Sequence, residues 1–178
     1  MAHQISYGIE STGEVESVVR CIPEVSFETE KIAKQVAESG PSYVTLQDLS
    51  ECSGLIIGSP GYFGNMAASL KHFLDSSTQL WLSGALVGKP AGVFTSTSSQ
   101  HGGQESVLLS MMLPLLHHGM LISGLPYSEP SLNRTQTGAT PYGPSHIAGQ
   151  SGQELSSDEV EACRALGKRI ASLSMKLI

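Results

Sequence analysis

The sequence predicts an α/β protein built on a parallel β-sheet, for two reasons. Short apolar runs of strand length alternate along the chain with segments of helical periodicity, the pattern that crossover helices between parallel strands produce. In addition, residues 54–58 are apolar without alternation, which is typical of a strand covered on both faces. With 178 residues and 40% hydrophobic content, the chain has the size of a single domain, which we assign to residues 1–178.

Strands are predicted in four places. Residues 17–22 form a short candidate that ends at Pro23, and residues 53–58 form a stronger one. Residues 91–95 and 120–123 are the remaining two. We expect residues 53–58 to lie near the centre of the sheet, buried on both faces.

Three helices are predicted. The first covers residues 66–80, and the second covers residues 105–118, where Pro114 predicts a kink or an early end because proline lacks a backbone donor. Ser156 and Glu159 form a capping box at the start of the third helix. Its apolar positions are Val160, Cys163, Leu166, Ile170, Leu173 and Leu177.

Two segments lack a regular pattern. Residues 27–41 have room for a short helix, and residues 127–155 are rich in Gly, Ser, Thr and Pro. A connection as long as the second is uncommon in a compact domain unless it lines a site or an interface.

Composition excludes several classes of partner. The net charge is −6, the pI is near 5.4, and the ten Lys and Arg residues are scattered, so we expect neither nucleic acid nor anionic lipid as a partner. No apolar run approaches bilayer length and no signal peptide is evident, which predicts a soluble cytoplasmic protein. Cys21, Cys52 and Cys163 show no CxxC spacing, so we expect buried free thiols and no metal site.

Candidate site residues follow the predicted strands, because ligands of open parallel sheets lie at the carboxyl ends of strands. In the first loop (residues 59–66), glycines permit close approach and two aromatic rings can flank a planar ligand. In the second loop (residues 96–104), hydroxyls, backbone N–H groups and an imidazole can bind a polar ring edge, although an ordinary polar loop is the alternative. The candidates are Gly61, Tyr62, Phe63, Gly64, Ser96, Thr97, Ser98, Ser99, Gln100 and His101.

Three further residues, His117, His118 and Trp81, each allow a structural or a functional interpretation. His117 and His118 are adjacent, so on a helix they point about 100° apart and cannot share a metal ion. At the end of a helix, these histidines can either contact a ligand or interact with the negative end of the helix dipole. For Trp81, the only tryptophan, the alternatives are core packing and a role in the site.

The sequence contains no recognisable nucleophile with its base. The G-x-S-x-G, H-E-x-x-H and Walker patterns are all missing, so we assign no catalytic side chain. If the protein is an enzyme, a cofactor is expected to carry the reaction.

The motifs resemble those of the WrbA family of flavodoxin-like NAD(P)H:quinone oxidoreductases. The resemblance begins with Ser59-Pro60 and Phe63-Gly64-Asn65-Met66-Ala67, which are similar to the family turn G-[ST]-P-T-R-F-G-N-M. It continues in order through Phe73-Leu74-Asp75, Leu80-Trp81, Gly84-Ala85-Leu86, Gly88-Lys89, Phe94-Thr95-Ser96-Thr97, His101-Gly102-Gly103-Gln104-Glu105, His117-His118-Gly119-Met120, Thr140-Pro141-Tyr142-Gly143 and Ala148-Gly149.

The resemblance implies a flavodoxin-like three-layer sandwich with a parallel sheet, and FMN-dependent reduction of quinones by NAD(P)H. It implies that Gly61, Tyr62 and Phe63 border the flavin ring, and that residues 96–101 hold its pyrimidine edge. His117 resembles a family histidine near the isoalloxazine. Trp81 resembles a substrate-binding tryptophan that stacks over the site from a neighbouring subunit, commonly in a tetramer to whose assembly residues 127–155 contribute.

Two departures from the family qualify these expectations. Gly61-Tyr62 replaces the family's Thr-Arg, which removes a hydroxyl and a guanidinium from a flavin contact. Residues 1–5 resemble the middle of the family's first helix, so the first strand and its phosphate loop are expected to be missing and FMN binding weakened. Residues 6–12 are then the end of that helix and not a phosphate loop. The alternative function is a non-enzymatic remnant that folds and oligomerises but binds FMN weakly or not at all.

Overall fold

The computed structural model describes residues 1–25 and 39–177. Within these ranges a four-stranded parallel sheet has β2 in the middle, with β1 along one edge and β3 and β4 at the two ends of the other edge. In chain order the elements are α1 (Ala2–Glu10), α2 (Leu46–Glu51), β1 (Leu55–Pro60), α3 (Ala68–Ser76), α4 (Thr78–Leu82), β2 (Pro90–Thr97), α5 (Gln104–His117), β3 (Leu121–Ile122), α6 (Ser131–Arg134), β4 (Ser145–Ile147) and α7 (Ser157–Leu177).

Alternate residues of β2 face opposite layers of helices. Ala91 and Val93 are fully buried in an apolar cluster with residues of α3 and α5. A Cβ on Gly92 would instead lie 2.9 Å from Leu166 of α7. The sheet is therefore the middle of three layers, which confirms the fold class predicted from the sequence.

β1 differs from its prediction in burial. The sequence predicts that it is covered on both faces, yet Leu55, Ile56 and Ile57 are only half-buried. Among the described residues β1 pairs with β2 alone, and its carboxyl end borders a cleft of about 770 Å³. The apolar run was correctly assigned to a strand, but its burial depends on neighbours that a local pattern does not report.

Residues 17–22 do not form the predicted strand. Cys21 makes an isolated parallel bridge to Tyr43, in which its N–H donates to the Ser42 carbonyl and its own carbonyl accepts from Val44. Val18 is more than half exposed, so the segment lacks the apolar cover that would extend this pairing. Most of residues 27–41, where the sequence has room for a short helix, lies outside the described residues.

The helix predicted over residues 66–80 is divided into α3 and α4 at Ser77. The Ser77 hydroxyl donates to the Leu74 carbonyl and competes with helical backbone bonding there. At Pro114 the sequence predicts a kink or an early end of α5, and the early end is wrong: the helix continues to His117, and the His118 N–H still donates to the Pro114 carbonyl at 3.0 Å.

The capping box at α7 is confirmed. The Glu159 N–H lies 3.2 Å from the Ser156 hydroxyl, and the Ser156 N–H donates to the Glu159 carboxylate at 2.8 Å. None of the described helices is both long enough and apolar enough to cross a bilayer.

The helices near the two ends of the chain pack directly on each other. Any side chain on Gly8 of α1 would collide with the Arg164 carbonyl of α7, and one on Gly167 would collide with the Ile5 carbonyl. The backbones are therefore in contact. The Ser11 and Thr12 hydroxyls donate to the carbonyls of Gly8 and Ile9, which confirms that residues 6–12 contain the end of a helix.

Candidate functional site

The first loop is a tight turn that projects an aromatic ring into solvent. The backbone N–H and carbonyl groups of Tyr62 and Asn65 bond each other at 2.9 Å in both directions. Phe63 and Gly64, between them, have φ values of 51° and 74°, so both adopt the left-handed conformation of a type I′ turn. Phe63 is fully exposed in this unfavourable conformation, and Tyr62 is more than half exposed. Strained, exposed aromatic residues of this kind concentrate at binding sites.

The second loop supplies hydrogen-bond donors. β2 runs two residues further than predicted, so Ser96 and Thr97 belong to the strand and not to the loop. Beyond them come four exposed residues: Ser98, Ser99, Gln100 and His101. Their backbone N–H groups donate to no acceptor among the described residues.

The two loops form one continuous surface. The Gly61 N–H donates to the Ser96 carbonyl at 2.9 Å, which joins the ends of β1 and β2. Gly103 lies so close to the first loop that a Cβ there would be 3.0 Å from the Gly64 Cα. The structure thus brings the predicted first-loop and second-loop residues together at the carboxyl edge of the sheet, as expected for an open parallel sheet.

Two hollows border this surface. The cleft of about 770 Å³ is lined by Ser59, Pro60 and Ser96, so it touches only the base of each loop. A smaller hollow of about 470 Å³ lies beside Tyr62 and is walled by Asn65, Met66, Ala68 and Lys71. Tyr62 is the predicted residue that opens on this second space.

Trp81 and His117 lie together but at the opposite end of α5. The Trp81 Nε1–H donates to the His117 carbonyl at 2.9 Å, and the indole is half exposed. Core packing is therefore wrong for this tryptophan. Since α5 begins at Gln104 beside the second loop and has 14 residues, His117 lies about 20 Å from that loop. One chain does not bring Trp81 or His117 to the two loops.

A buried pair beside Trp81 was not assigned from the sequence. Nε2 of His118 lies 2.9 Å from Oγ of Ser77, and both side chains are buried. Burial lowers the pKa of His118 and favours its neutral form. The only local signal for Ser77 was the polar Asp-Ser-Ser-Thr run within an otherwise helical pattern.

A second buried cluster orders part of residues 127–155. The Glu159 carboxylate accepts from the N–H groups of Gly138 and Ser156, and its Oε2 lies 2.9 Å from Nδ1 of His146. Desolvation raises the pKa of Glu159, but the bonds from Ser156, His146 and Gly138 outweigh it and hold that pKa below its usual value. His146 also lines the larger cleft, while its Nε2 faces the Gln153 carbonyl.

The chain is similar in sequence to a known protein family and to several named enzymes. Residues 27–128 match the family described as NADPH-dependent FMN reductase. The NAD(P)H dehydrogenase (quinone) of Solidesulfovibrio magneticus is 40% identical and aligns with 99% of this chain and 91% of its own length. The protein of the same name from Geotalea daltonii is 41% identical, with 100% and 91% covered.

Solved structures agree on the fold. The flavodoxin, WrbA-like protein from Agrobacterium tumefaciens superposes with a TM-score of 0.63 at 22% identity, covering 99% of this chain and 91% of that one. A flavodoxin from the domain Archaea superposes with a TM-score of 0.58 at 18% identity, covering 97% and 87%. The fold is flavodoxin-like, and the chain belongs to the NADPH-dependent FMN reductase family, among relatives named NAD(P)H dehydrogenase (quinone).

Proposed function

We propose that this protein is an FMN-dependent NAD(P)H:quinone oxidoreductase that reduces quinones by two electrons. The relatives' names supply the reaction class. The observation that carries the proposal is the joined surface of the two loops, which presents exposed aromatic rings next to N–H donors that have no acceptor in the described part of the chain. Such a surface suits a planar ligand with a polar edge.

The residues of this surface fit a flavin. Gly61, Tyr62, Phe63 and Gly64 would border the ring, with the hollow beside Tyr62 giving it space. Thr97 is buried and its hydroxyl donates to the Ser99 carbonyl, so the N–H groups of residues 98–101 and the hydroxyls of Ser98 and Ser99 would bind the pyrimidine edge. FMN, when bound, supplies the hydride-transfer chemistry. The protein's part is to orient the reactants and exclude water, which needs no strong side-chain acid or base.

A neighbouring subunit is needed to complete this site. Trp81 and His117 lie about 20 Å from the second loop within one chain, at the far end of α5. Between the two ends, Leu109, Leu113 and Leu116 form an exposed apolar stripe at helical spacing. We propose that the chain forms a homo-oligomer, a tetramer, in which this stripe is covered and Trp81 of one copy contacts the quinone of another.

Subunit complementation tests this arrangement directly. Phe63→Ala and Trp81→Ala should each reduce quinone turnover when prepared alone. Mixed oligomers of the two variants, formed by dissociation and reassembly, should regain activity because some sites then combine an intact loop with an intact tryptophan. If the mixture is only as active as the two variants measured separately, the site is not formed by two subunits.

FMN titration tests the cofactor itself. Tyr62→Ala and His101→Ala should weaken flavin binding, whereas Tyr7→Ala, which removes a similarly exposed aromatic ring from α1, should leave it unchanged. Equal effects of all three would argue against the proposed surface.

We further propose that residues 1–178 are one domain and that it works in the cytoplasm, where the free thiols of Cys21, Cys52 and Cys163 stay reduced.

A further inference from the structure

Three hydrogen bonds join four residues, Ser77, Trp81, His117 and His118, in a closed ring. The Ser77 carbonyl accepts from the N–H groups of Leu80 at 2.9 Å and Trp81 at 3.1 Å, which starts α4. The Trp81 indole then donates to the His117 carbonyl at the end of α5. The next residue, His118, returns to the Ser77 hydroxyl at 2.9 Å and closes the ring.

The proton positions in this ring follow from the partners. The Ser77 hydroxyl has one proton, which it donates to the Leu74 carbonyl at 2.6 Å. Towards His118 the hydroxyl therefore accepts, so Nε2 of His118 carries the proton. Nδ1 of His118 is buried and has no hydrogen-bond partner among the described residues. The Ser77 contact is thus the only side-chain hydrogen bond of His118 in that part of the chain.

Burial alone does not fix the side chain of Trp81. Its side chain is half exposed and gains only part of the packing that fixes a core aromatic. The helix that carries it, α4, has five residues, too few to be stable without tertiary contacts. Leu80 packs α4 against the apolar core, and two connections to α5 orient Trp81 itself, one through the indole N–H and one through Ser77 and His118.

We propose that Ser77 and His118 are positioning residues that fix the orientation of Trp81 for the quinone substrate. This inference rests on the proposed function for its catalytic consequence, although the positioning itself does not. When the hydrogen bond between Ser77 and His118 is lost, the indole bond to the His117 carbonyl is the remaining link of this ring between α4 and α5, and the indole is less firmly oriented. A displacement of about 1 Å can lower a rate by as much as about 100-fold, so a loss of about tenfold in kcat/KM for quinone is expected.

The fluorescence of Trp81 reports its positioning without any reference to catalysis, because it is the only tryptophan in the chain. In Ser77→Ala, tryptophan anisotropy should fall and acrylamide quenching should rise about twofold, while Ser77→Thr should restore both values. Ser83→Ala is the matched control: its hydroxyl also donates one turn back, to Leu80, at the other end of α4. It should leave the emission unchanged.

A pair of substitutions at His118 separates hydrogen bonding from packing. The amide of His118→Gln reaches the former Nε2 position and can donate to Ser77, whereas the amide of His118→Asn reaches only the Nδ1 position. Gln should therefore keep the wild-type fluorescence and Asn should lose it. Equal behaviour of folded Gln and Asn variants, or unchanged fluorescence in Ser77→Ala, would overturn the proposal.

Kinetic measurements then separate this inference from the proposed function. In Ser77→Ala the kcat/KM for quinone should fall about tenfold, with flavin content and the rate of flavin reduction by NAD(P)H unchanged. If wild-type protein reduces no quinone, the proposed function fails, while the fluorescence series still decides the positioning. If quinone kinetics stay normal although Trp81 becomes mobile, the catalytic part of the inference is wrong.

Discussion

Oε2 of Glu159 lies 2.9 Å from Nδ1 of His146, which connects the start of α7 to β4 through buried polar groups. Because Glu159 also accepts from backbone N–H groups, Glu159→Ala leaves several buried donors without a partner. We expect it to lower the free energy of unfolding by about 3 kcal/mol or more. Urea denaturation measures this. Glu161→Ala, which removes an exposed ion pair with Arg134 from the same helix, should cost less than about 1 kcal/mol.

Stability should depend on pH through Glu159. Its pKa is lowered in the folded protein, so the unfolded chain takes up its proton first as the pH falls. The stability from this carboxylate is therefore fully present above the unfolded pKa of about 4.5 and is lost as the pH falls through the folded value. The urea midpoint should fall over this range in the wild type and more gently in Glu159→Gln. Parallel profiles for the two proteins would contradict this assignment.

Phe63 should show opposite effects on stability and activity. Its ring is fully exposed and its φ of 51° is unfavourable for a residue with a Cβ, so Phe63→Gly removes strain and loses little packing. We expect a gain of about 1 kcal/mol in the free energy of unfolding, together with weaker flavin binding. Calorimetry and FMN titration measure the two effects. A loss of stability would mean that Phe63 packs in the assembled protein.

Gly103 tests the contact between the two loops. In Gly103→Ala the alanine must adopt a φ of 80°, which strains its backbone. Its Cβ also lies 3.0 Å from the Gly64 Cα, which forces the loops apart. Gly13→Ala has a similar φ of 74° with nothing within 4 Å, so it isolates the conformational cost. Both variants should lose about 1 kcal/mol of stability from backbone strain. Only Gly103→Ala should also weaken FMN binding, as measured by fluorescence titration.

The strand β1 and the start of α7 could be predicted from short stretches of sequence. The apolar run in β1 and the capping box at Ser156 are complete within a few residues, and both elements form as expected. The break at Ser77 was not predicted, because the apolar spacing of α3 runs through it. At the division three successive hydroxyls, of Ser76, Ser77 and Thr78, donate to carbonyls three residues back, and Ser77 also contacts a histidine 41 positions away.

The candidate site was predictable to the extent that it follows strand ends. The two loops come directly after β1 and β2, so the topology brings them together whatever their detailed conformation. The distance between these loops and Trp81 was not predictable, since it depends on how far α5 carries the chain. The contact between His146 and Glu159 was not predicted. One residue lies in a strand and the other in a helix, so no single sequence periodicity relates their positions.

The contact between α1 and α7 also affects how the protein is made. Gln4 and Arg164, which are joined by a side-chain hydrogen bond, are separated by 160 positions. During synthesis α1 leaves the ribosome long before α7 exists, so its glycine face has no partner for most of translation. Contacts at such separation form slowly, because a long loop must close before they contribute any stability. The packing of α1 is therefore completed only when α7 has been synthesised, and until then the face of α1 that carries Gly8 has no helix to cover it.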